Sequence, residues 1–445
     1  MTNPAGLAAA VPDIEDRIYR KMRRRLIPIV MLGLFISNVD RINIGVLAGP
    51  MSLDLGLTAA AFGLAAGLFA VGYSLFEIPS NMALAKFGAR RWIARIMVSW
   101  GAVTMLLGTV QNELSLHILR ALLGVAEAGF VPGVLLYMAI WCPPRMLPKT
   151  YSMMNLAVPV ALALGSVLTS TLLGLHGLLG LAGWRWAFLL EGIPAVLLGV
   201  YIWFRFPNTP ADAGWLDADE KAYLAEAGVQ TDNTRAHRFE QLGAVLRRPA
   251  AWMFTLTYFC MGLGYWTTIY FLPTIVREQF GLDAAAAGFV SAIPWAFSVL
   301  VMLAVMRSVT RTGDRTWHLT ILQLVGAVGV FVAASTGTPV LALIGLSLGG
   351  ASFFGTLSTW QSMQAQVFAG DQAAVALGMI TGFTSLSGLL GPSVMGVIKD
   401  ATGSTHTGLL IMSGFFVAAA VLMFFVSRWT DRVTGGLAAR VPVPA

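Results

Sequence analysis

Two apolar stretches of this sequence carry charges that a membrane-spanning helix should exclude. Asp40 and Arg41 sit inside IPIVMLGLFISNVDRINIGVLAG, and Arg120 and Glu127 inside ILRALLGVAEAGFVPGVLLYM. A charge near the bilayer centre costs roughly 2.5–3.5 kcal/mol on insertion scales, so such residues read first as a route for an ion or a charged solute. Each stretch holds one acid and one base, which allows mutual pairing away from lipid. A carboxyl can take up and release a proton. A guanidinium can grip a carboxylate with two parallel hydrogen bonds, which a lysine cannot do. Arg120 and Glu127, seven residues apart, share a helix face two turns apart, with Ala or Gly between them leaving space. The plainer reading is a salt bridge that only holds two helices together. It is weakened because each pair lies on a helix that begins a group of three.

The elements that position these residues follow from composition. Of 445 residues, 57% are hydrophobic and 11% charged, against about 25% charged in ordinary soluble domains. Apolar runs of bilayer-spanning length recur along the chain. Twelve are predicted, near 26–47, 61–83, 92–110, 115–138, 150–172, 186–206, 251–276, 285–307, 317–335, 339–366, 373–396 and 407–427. The expected fold class is therefore an all-α membrane protein, and its 47 glycines suit helices that approach closely or bend. An even number of crossings puts both termini on one side. Placing the Arg17, Arg20, Lys21, Arg23, Arg24 and Arg25 cluster in the cytoplasm leaves only Arg185, Arg277 and Lys399 outside, as the positive-inside rule requires. The turn near Asp371, on the inner side, carries no basic residue. A pI near 9.6 is then explained by topology and lipid headgroups, and gives no argument for nucleic acid.

Residues 1–25 read as a basic segment with no cleavable signal, and 13–25 as an amphipathic helix on the inner surface. Residues 26–206 and 251–427 form two six-helix halves, joined by the polar stretch 207–250 and followed by a tail, 428–445. Within the linker, Asp217 and Glu220 fit an N-cap and capping-box pair, and Gly228 a helix stop. Both halves begin on the same side, so an axis along the membrane normal can relate them. Cys142 and Cys260 make no disulfide framework, and five scattered histidines make no metal site. No phosphate loop or nucleophile motif points to an enzyme.

The segments SNVDRINIG, GLAAGLFAVGYSLFEIPSNMALAKFGARRWIAR, ILRALLGVAEAGFVPGVLLY, LHGLLGLAGWRWAFLLEGIPAVLLG, RTGDRTWH and GPSVMGVIKDATGS resemble the anion:cation symporter branch of the major facilitator superfamily over residues 15–430. That branch includes bacterial permeases for sugar acids, tartrate and phthalate. The resemblance implies the two-half major facilitator fold and alternating access. It makes Asp40 and Glu127 the proton-binding acids, Arg41 a ligand of the substrate carboxylate and Arg120 the charge partner of the acids. Tyr73 becomes a cavity-facing hydrogen-bonding group. The expected partners are a small organic anion, protons as the coupling ion and the lipid bilayer. No other cofactor is implied, and the monomer is the expected working unit, in a bacterial inner membrane with both termini cytoplasmic.

The chain also departs from the branch. Many relatives carry two asparagines where this sequence has Thr381 and Ser385, which alters the substrate pocket. Thr310 stands where an acid precedes RTGDR, and NMALAKFGARR lacks an aspartate, which weakens an inner-gate contact. Arg90 and Arg91 remain, with a topogenic or a gating role. Glu77 fits a gate or packing role better than a third titrating one. Trp360, Gln361 and Gln364 are cavity candidates, since amides in a membrane helix need partners. Tyr265, Trp266 and Tyr270 either close over a substrate or pack. Asn155 amid methionines, with the short hydroxyls of Thr381 and Ser385, favours a sparsely hydroxylated acid: aromatic, or a short dicarboxylate. The expected function is proton-coupled import of a small organic carboxylate, with exchange or uniport as the alternative and a transporter-like sensor a remoter one.

Overall fold

A segment immersed in lipid must satisfy its backbone N–H and C=O groups internally, so spanning segments coil. In the computed structural model, which describes residues 4–227, 243–368 and 373–434, the described elements are α-helices and short 3-10 turns. A surface helix, α1 (Pro4–Arg25), precedes α2 (Ile27–Leu55), α3 (Ala59–Phe87), α4 (Ala89–Leu107), α5 (Glu113–Glu127), α6 (Phe130–Trp141), α7 (Leu147–Leu173) and α8 (Gly183–Arg205). After α9 (Ala218–Ala227) come α10 (Pro249–Phe280), α11 (Ala284–Thr312), α12 (Thr316–Ser335), α13 (Pro339–Val367), α14 (Ala373–Thr402) and α15 (His406–Val433). Among the described residues eleven segments are long and apolar enough to cross a membrane, α5 and α6 together making one. The twelfth crossing is α4, which carries Arg90, Arg91 and Arg95 near its start and packs along α8 and α5. The fold is thus a bundle of twelve transmembrane helices. Outward-facing Leu197, Leu300 and Val328 leave an apolar surface that suits lipid and not water. Gly228 and Asp371, the expected helix stop and the turn without basic residues, lie outside the described residues.

Short connections reverse successive crossings, so α1, α9 and the end of α15 share one face, here the terminal face. At the opposite, far face the two halves touch backbone to backbone. A Cβ on Gly63 of α3 would stand 2.3 Å from the Pro392 carbonyl oxygen of α14, and one on Gly396 2.2 Å from that of Ala59. A Cβ on Gly45 of α2 would stand 2.9 and 3.0 Å from the Ile269 and Tyr270 carbonyl oxygens of α10. Asp400 completes this seal by accepting the N–H groups of Ala59 and Ala60, at 2.9 and 2.7 Å, the first amides of α3. Nearer the terminal face, α7 meets α13 through Asn155 Nδ2 donating to Gln361 Oε1 at 2.8 Å.

The basic N-terminal helix docks on protein. Ile18 and Met22 are fully buried. Arg17 meets Asp219 at 2.5 Å, and Lys21 meets Asp217 and Glu220 at 2.9 and 2.7 Å. Tyr223 donates to Glu15 at 2.7 Å. Hydrogen bonds donated to Glu220 and then Asp217 push the Lys21 ammonium above its ordinary range, and the bond from Arg17 pulls the exposed Asp219 carboxyl below its own. Glu220 also accepts the Asp217 N–H at 2.9 Å, the reciprocal half of the expected capping box.

Candidate substrate and proton site

An α-helix turns about 100° per residue, so neighbours Asp40 and Arg41 on α2 point to different helices. Asp40, 1% exposed, faces α4. Trp100 Nε1 donates to its Oδ2 at 2.5 Å and Thr104 Oγ1 at 3.3 Å, while Oδ1 has no partner. Arg41 faces α3 and α5. Its Nη2 and Nε donate to one oxygen of Glu127, Oε1, at 2.7 and 3.2 Å. Ser37, one turn earlier on α2, donates to the same oxygen at 2.8 Å. Glu127 is fully buried and its Oε2 is unpartnered. The Arg41 side chain keeps 17% of its surface exposed. Its guanidinium lies 5.5 and 5.4 Å from the ring centres of Phe69 and Tyr73 on α3, where the ring faces attract a cation.

Two backbone features of the sequence place Glu127 there. The first is a reciprocal glycine crossing. A Cβ on Gly72 would fall 2.1 Å from the Ala121 carbonyl oxygen, and one on Gly124 2.1 Å from that of Phe69, so α3 and α5 touch without side chains between. The second is a break. The run expected as a single helix over 115–138 divides after Glu127, where Gly129 adopts φ +84° and Ser80 donates to the Ala128 carbonyl at 2.6 Å. A non-glycine residue resists that left-handed φ, and Pro132 shortly after Gly129 is the sequence mark of such a stop. Glu127 therefore ends α5, at the negative end of its dipole, and the Arg41 cation is the favourable partner there.

The pairing differs from the expectation that each stretch pairs internally and that Arg120 serves the acids. The ion pair runs between stretches, Arg41 to Glu127, and Asp40 has neutral partners. Arg120, 1% exposed, donates to the carbonyls of Ala65 and Ala66 at 3.2 and 3.4 Å, lies 5.2 Å from the Phe69 ring, and leaves Nη1 unpartnered. Those carbonyls are open to it because of the helix contact above, which no residue pattern specifies. Tyr270 of α10 sits beside Arg120 and under the α2 contact at Gly45, which places it at the roof.

Other candidates scatter. Tyr73 joins Arg41. Gln361 reaches Asn155. Trp360 is fully buried against Phe254, ring centres 4.8 Å apart, inside the C-terminal half. Thr381 and Ser385 turn their hydroxyls back onto the carbonyls of Leu377 and Thr381, at 2.8 and 2.9 Å. Gln364 is buried with an unpartnered amide nitrogen. Tyr265 stacks on Phe353 at 3.9 Å. Arg90 donates to the Phe206 carbonyl at 3.4 Å and ties α4 to the end of α8. A further buried acid outside the expected set is Glu191 in WAFLLEGIPAVLLG, which accepts from Thr169 and Asn43. Its signal was the same as that of Asp40, a lone acid in an apolar run.

The chain is 39% identical over 416 residues to a protein of Agrobacterium vitis named "Putative tartrate transporter", covering 94% of this chain and 92% of that one. It is 34% identical to a "Quinolone resistance transporter" of Acinetobacter baumannii, covering 94% and 97%. The solved D-xylose-proton symporter superposes with a TM-score of 0.71 at 17% identity, covering 90% of this chain and 96% of its own, which speaks to the fold alone. The sequence profile of the Major Facilitator Superfamily matches residues 30–392. A twelve-helix bundle sealed on one face and this span of similarity lead to one assignment: the chain is a multi-pass membrane transporter, not an enzyme, and belongs to the Major Facilitator Superfamily.

Proposed function

We propose that this transporter is a proton-coupled symporter that imports a small organic carboxylate by alternating access, acting as a monomer in a bacterial inner membrane with the terminal face in the cytoplasm. The observation that carries this reading is the Arg41–Glu127 pair. A partly exposed guanidinium beside Tyr73 is held by an acid whose second oxygen has no partner. A proton on Glu127 removes the charge that holds Arg41. The guanidinium is then free to take a substrate carboxylate, with Tyr73 beside it and Arg120 deeper in the bundle. Solute and proton are thereby linked through one electrostatic competition. Asp40 is the second proton-binding residue, and no cofactor beyond the proton is required. With the termini in the cytoplasm, the sealed far face is the outer one, and rocking of the halves exposes the site to each side in turn.

For the substrate we favour a short dicarboxylate. The hydroxyls of Thr381 and Ser385 donate to their own helix and keep only acceptor capacity, where an amide would also donate, so they match a polyhydroxylated acid less well, and its unpaired buried hydroxyls would be costly. The tartrate-transporter relative agrees with that size and charge. The test is uptake into proteoliposomes under an imposed pH gradient, competed by a panel of acids. Inhibition by short dicarboxylates is expected. Inhibition by hexonates alone would overturn the substrate class, and accumulation indifferent to the pH gradient would overturn symport. In Glu127→Gln, which keeps the shape of the neutral acid, pH-driven accumulation should vanish while substrate exchange persists. Undiminished accumulation in that variant would remove Glu127 from the proton path.

A further inference from the structure

Glu191 of α8 is an acid that the mechanism above does not use. It is 4% exposed. Thr169 Oγ1 of α7 donates to its Oε1 at 2.6 Å, and Asn43 Nδ2 of α2 to its Oε2 at 2.8 Å. Among the described residues neither Glu191 nor Asp40 forms an ion pair with any Lys, Arg or His. The titratable group facing it from α2 is Asp40, on which Glu127 of α5 also acts. What α7 and α4 present to these two acids is neutral: Thr169, Trp100 and Thr104. Arg120 of α5 acts on Asp40 from beyond ion-pair distance and is itself held by the Ala65 and Ala66 carbonyls. With neither acid in an ion pair, two neighbouring buried carboxylates cannot both stay ionised cheaply, so the pair holds at least one proton.

Its place matters as much as its burial. Asn43 lies three residues beyond Asp40, roughly 4.5 Å along α2 toward the far face and on the same side of the helix. Asp40 Oδ1 and Asn43 Oδ1 are buried acceptors without donors. A polar chain thus runs from Asp40 through Asn43 to Glu191 on the sealed side of the site, and it is short of a hydrogen. We propose that Glu191 is a further proton-binding residue of this transporter, sharing with Asp40 a buried store that fills when a carboxylate oxygen takes a proton and empties when it releases one. This rests on the symport reading and adds a site to it.

The test is Glu191→Gln in proteoliposomes, read as substrate accumulation at equilibrium against an imposed pH gradient. Each coupled proton contributes a factor of about ten in accumulation per pH unit. Loss of one proton from the cycle should therefore lower accumulation about tenfold at one unit. Accumulation equal to wild type would overturn the role of Glu191 while leaving symport intact. A wild type that ignores the gradient would overturn symport, and this store with it. Should the glutamine variant be inactive, Thr169→Val decides the matter, since it removes a donor and keeps the acid. The pH profile of uptake should then move, and an unmoved profile would leave Glu191 a structural residue only.

Discussion

At the scale of single residues, charge in an apolar run marks candidates but not partners. Asp40, Arg41, Arg120 and Glu127 were all legible as costly charges. Which acid meets which base was not, because a 100° step along α2 sends Asp40 to Trp100 and Arg41 to Glu127. In the proposed mechanism Arg41 exchanges one carboxylate for another, and its planar fork suits both. Arg41→Lys should therefore fail although the charge remains. A hydrogen bond to a charged group is worth about 1.5–3 kcal/mol, so losing one predicts affinity weakened between about tenfold and about 160-fold. Affinity within about twofold of wild type, measured by thermal shift or isothermal titration, would show that Arg41 does not bind substrate.

At the scale of elements, the amphipathic pattern of α1 was visible, but its docking partner was not. The arginines and lysine of α1 were read as topological signals facing lipid headgroups. Two of these cations instead face Asp219 and Glu220 of α9 and Asp217 just before it. This contact carries a pH dependence whose sign follows from Asp219. The folded carboxyl lies below the ordinary aspartate value of about 3.9, chiefly through the bond from Arg17. Its contribution is full above that value and is lost as pH falls through the lower folded one. Spin labels on α1 and α9 should hold one distance near neutral pH and spread only in strong acid. High salt should loosen them as well, since Arg17 and Asp219 are solvent-exposed. A distance that begins to spread above about pH 5 would refute this account of the clasp.

At the scale of the whole molecule, the halves meet at the far face through glycine contacts and one acidic cap. Asp400 of one half supplies the acceptor for the first two amides of α3 in the other. That bond exists only while the far face is shut, so its loss penalises one state of the cycle. Removing a helix cap costs about 0.5–2 kcal/mol. Asp400→Ala should accordingly shift the population about twofold to thirtyfold toward the state open at the far face. Labelling of a cysteine placed at Ala48 or Phe62 would report it, and an unchanged labelling rate would show that the cap does not hold the gate.

The sequence by itself determined the twelve-helix class, because hydrocarbon forces long apolar runs to coil and spares charge only where it is used. It also placed the four charges that the structure gathers in one half of the bundle. Only the tertiary structure decided the rest. The break after Glu127 depends on one glycine in a left-handed conformation, and the carbonyls that hold Arg120 become available only where α3 and α5 cross at Gly72 and Gly124. The hydroxyls of Thr381 and Ser385 were spent on their own helix. A one-dimensional pattern records how polar a position is; which group it meets is set by helix crossing and rotation, and those are properties of the packed bundle.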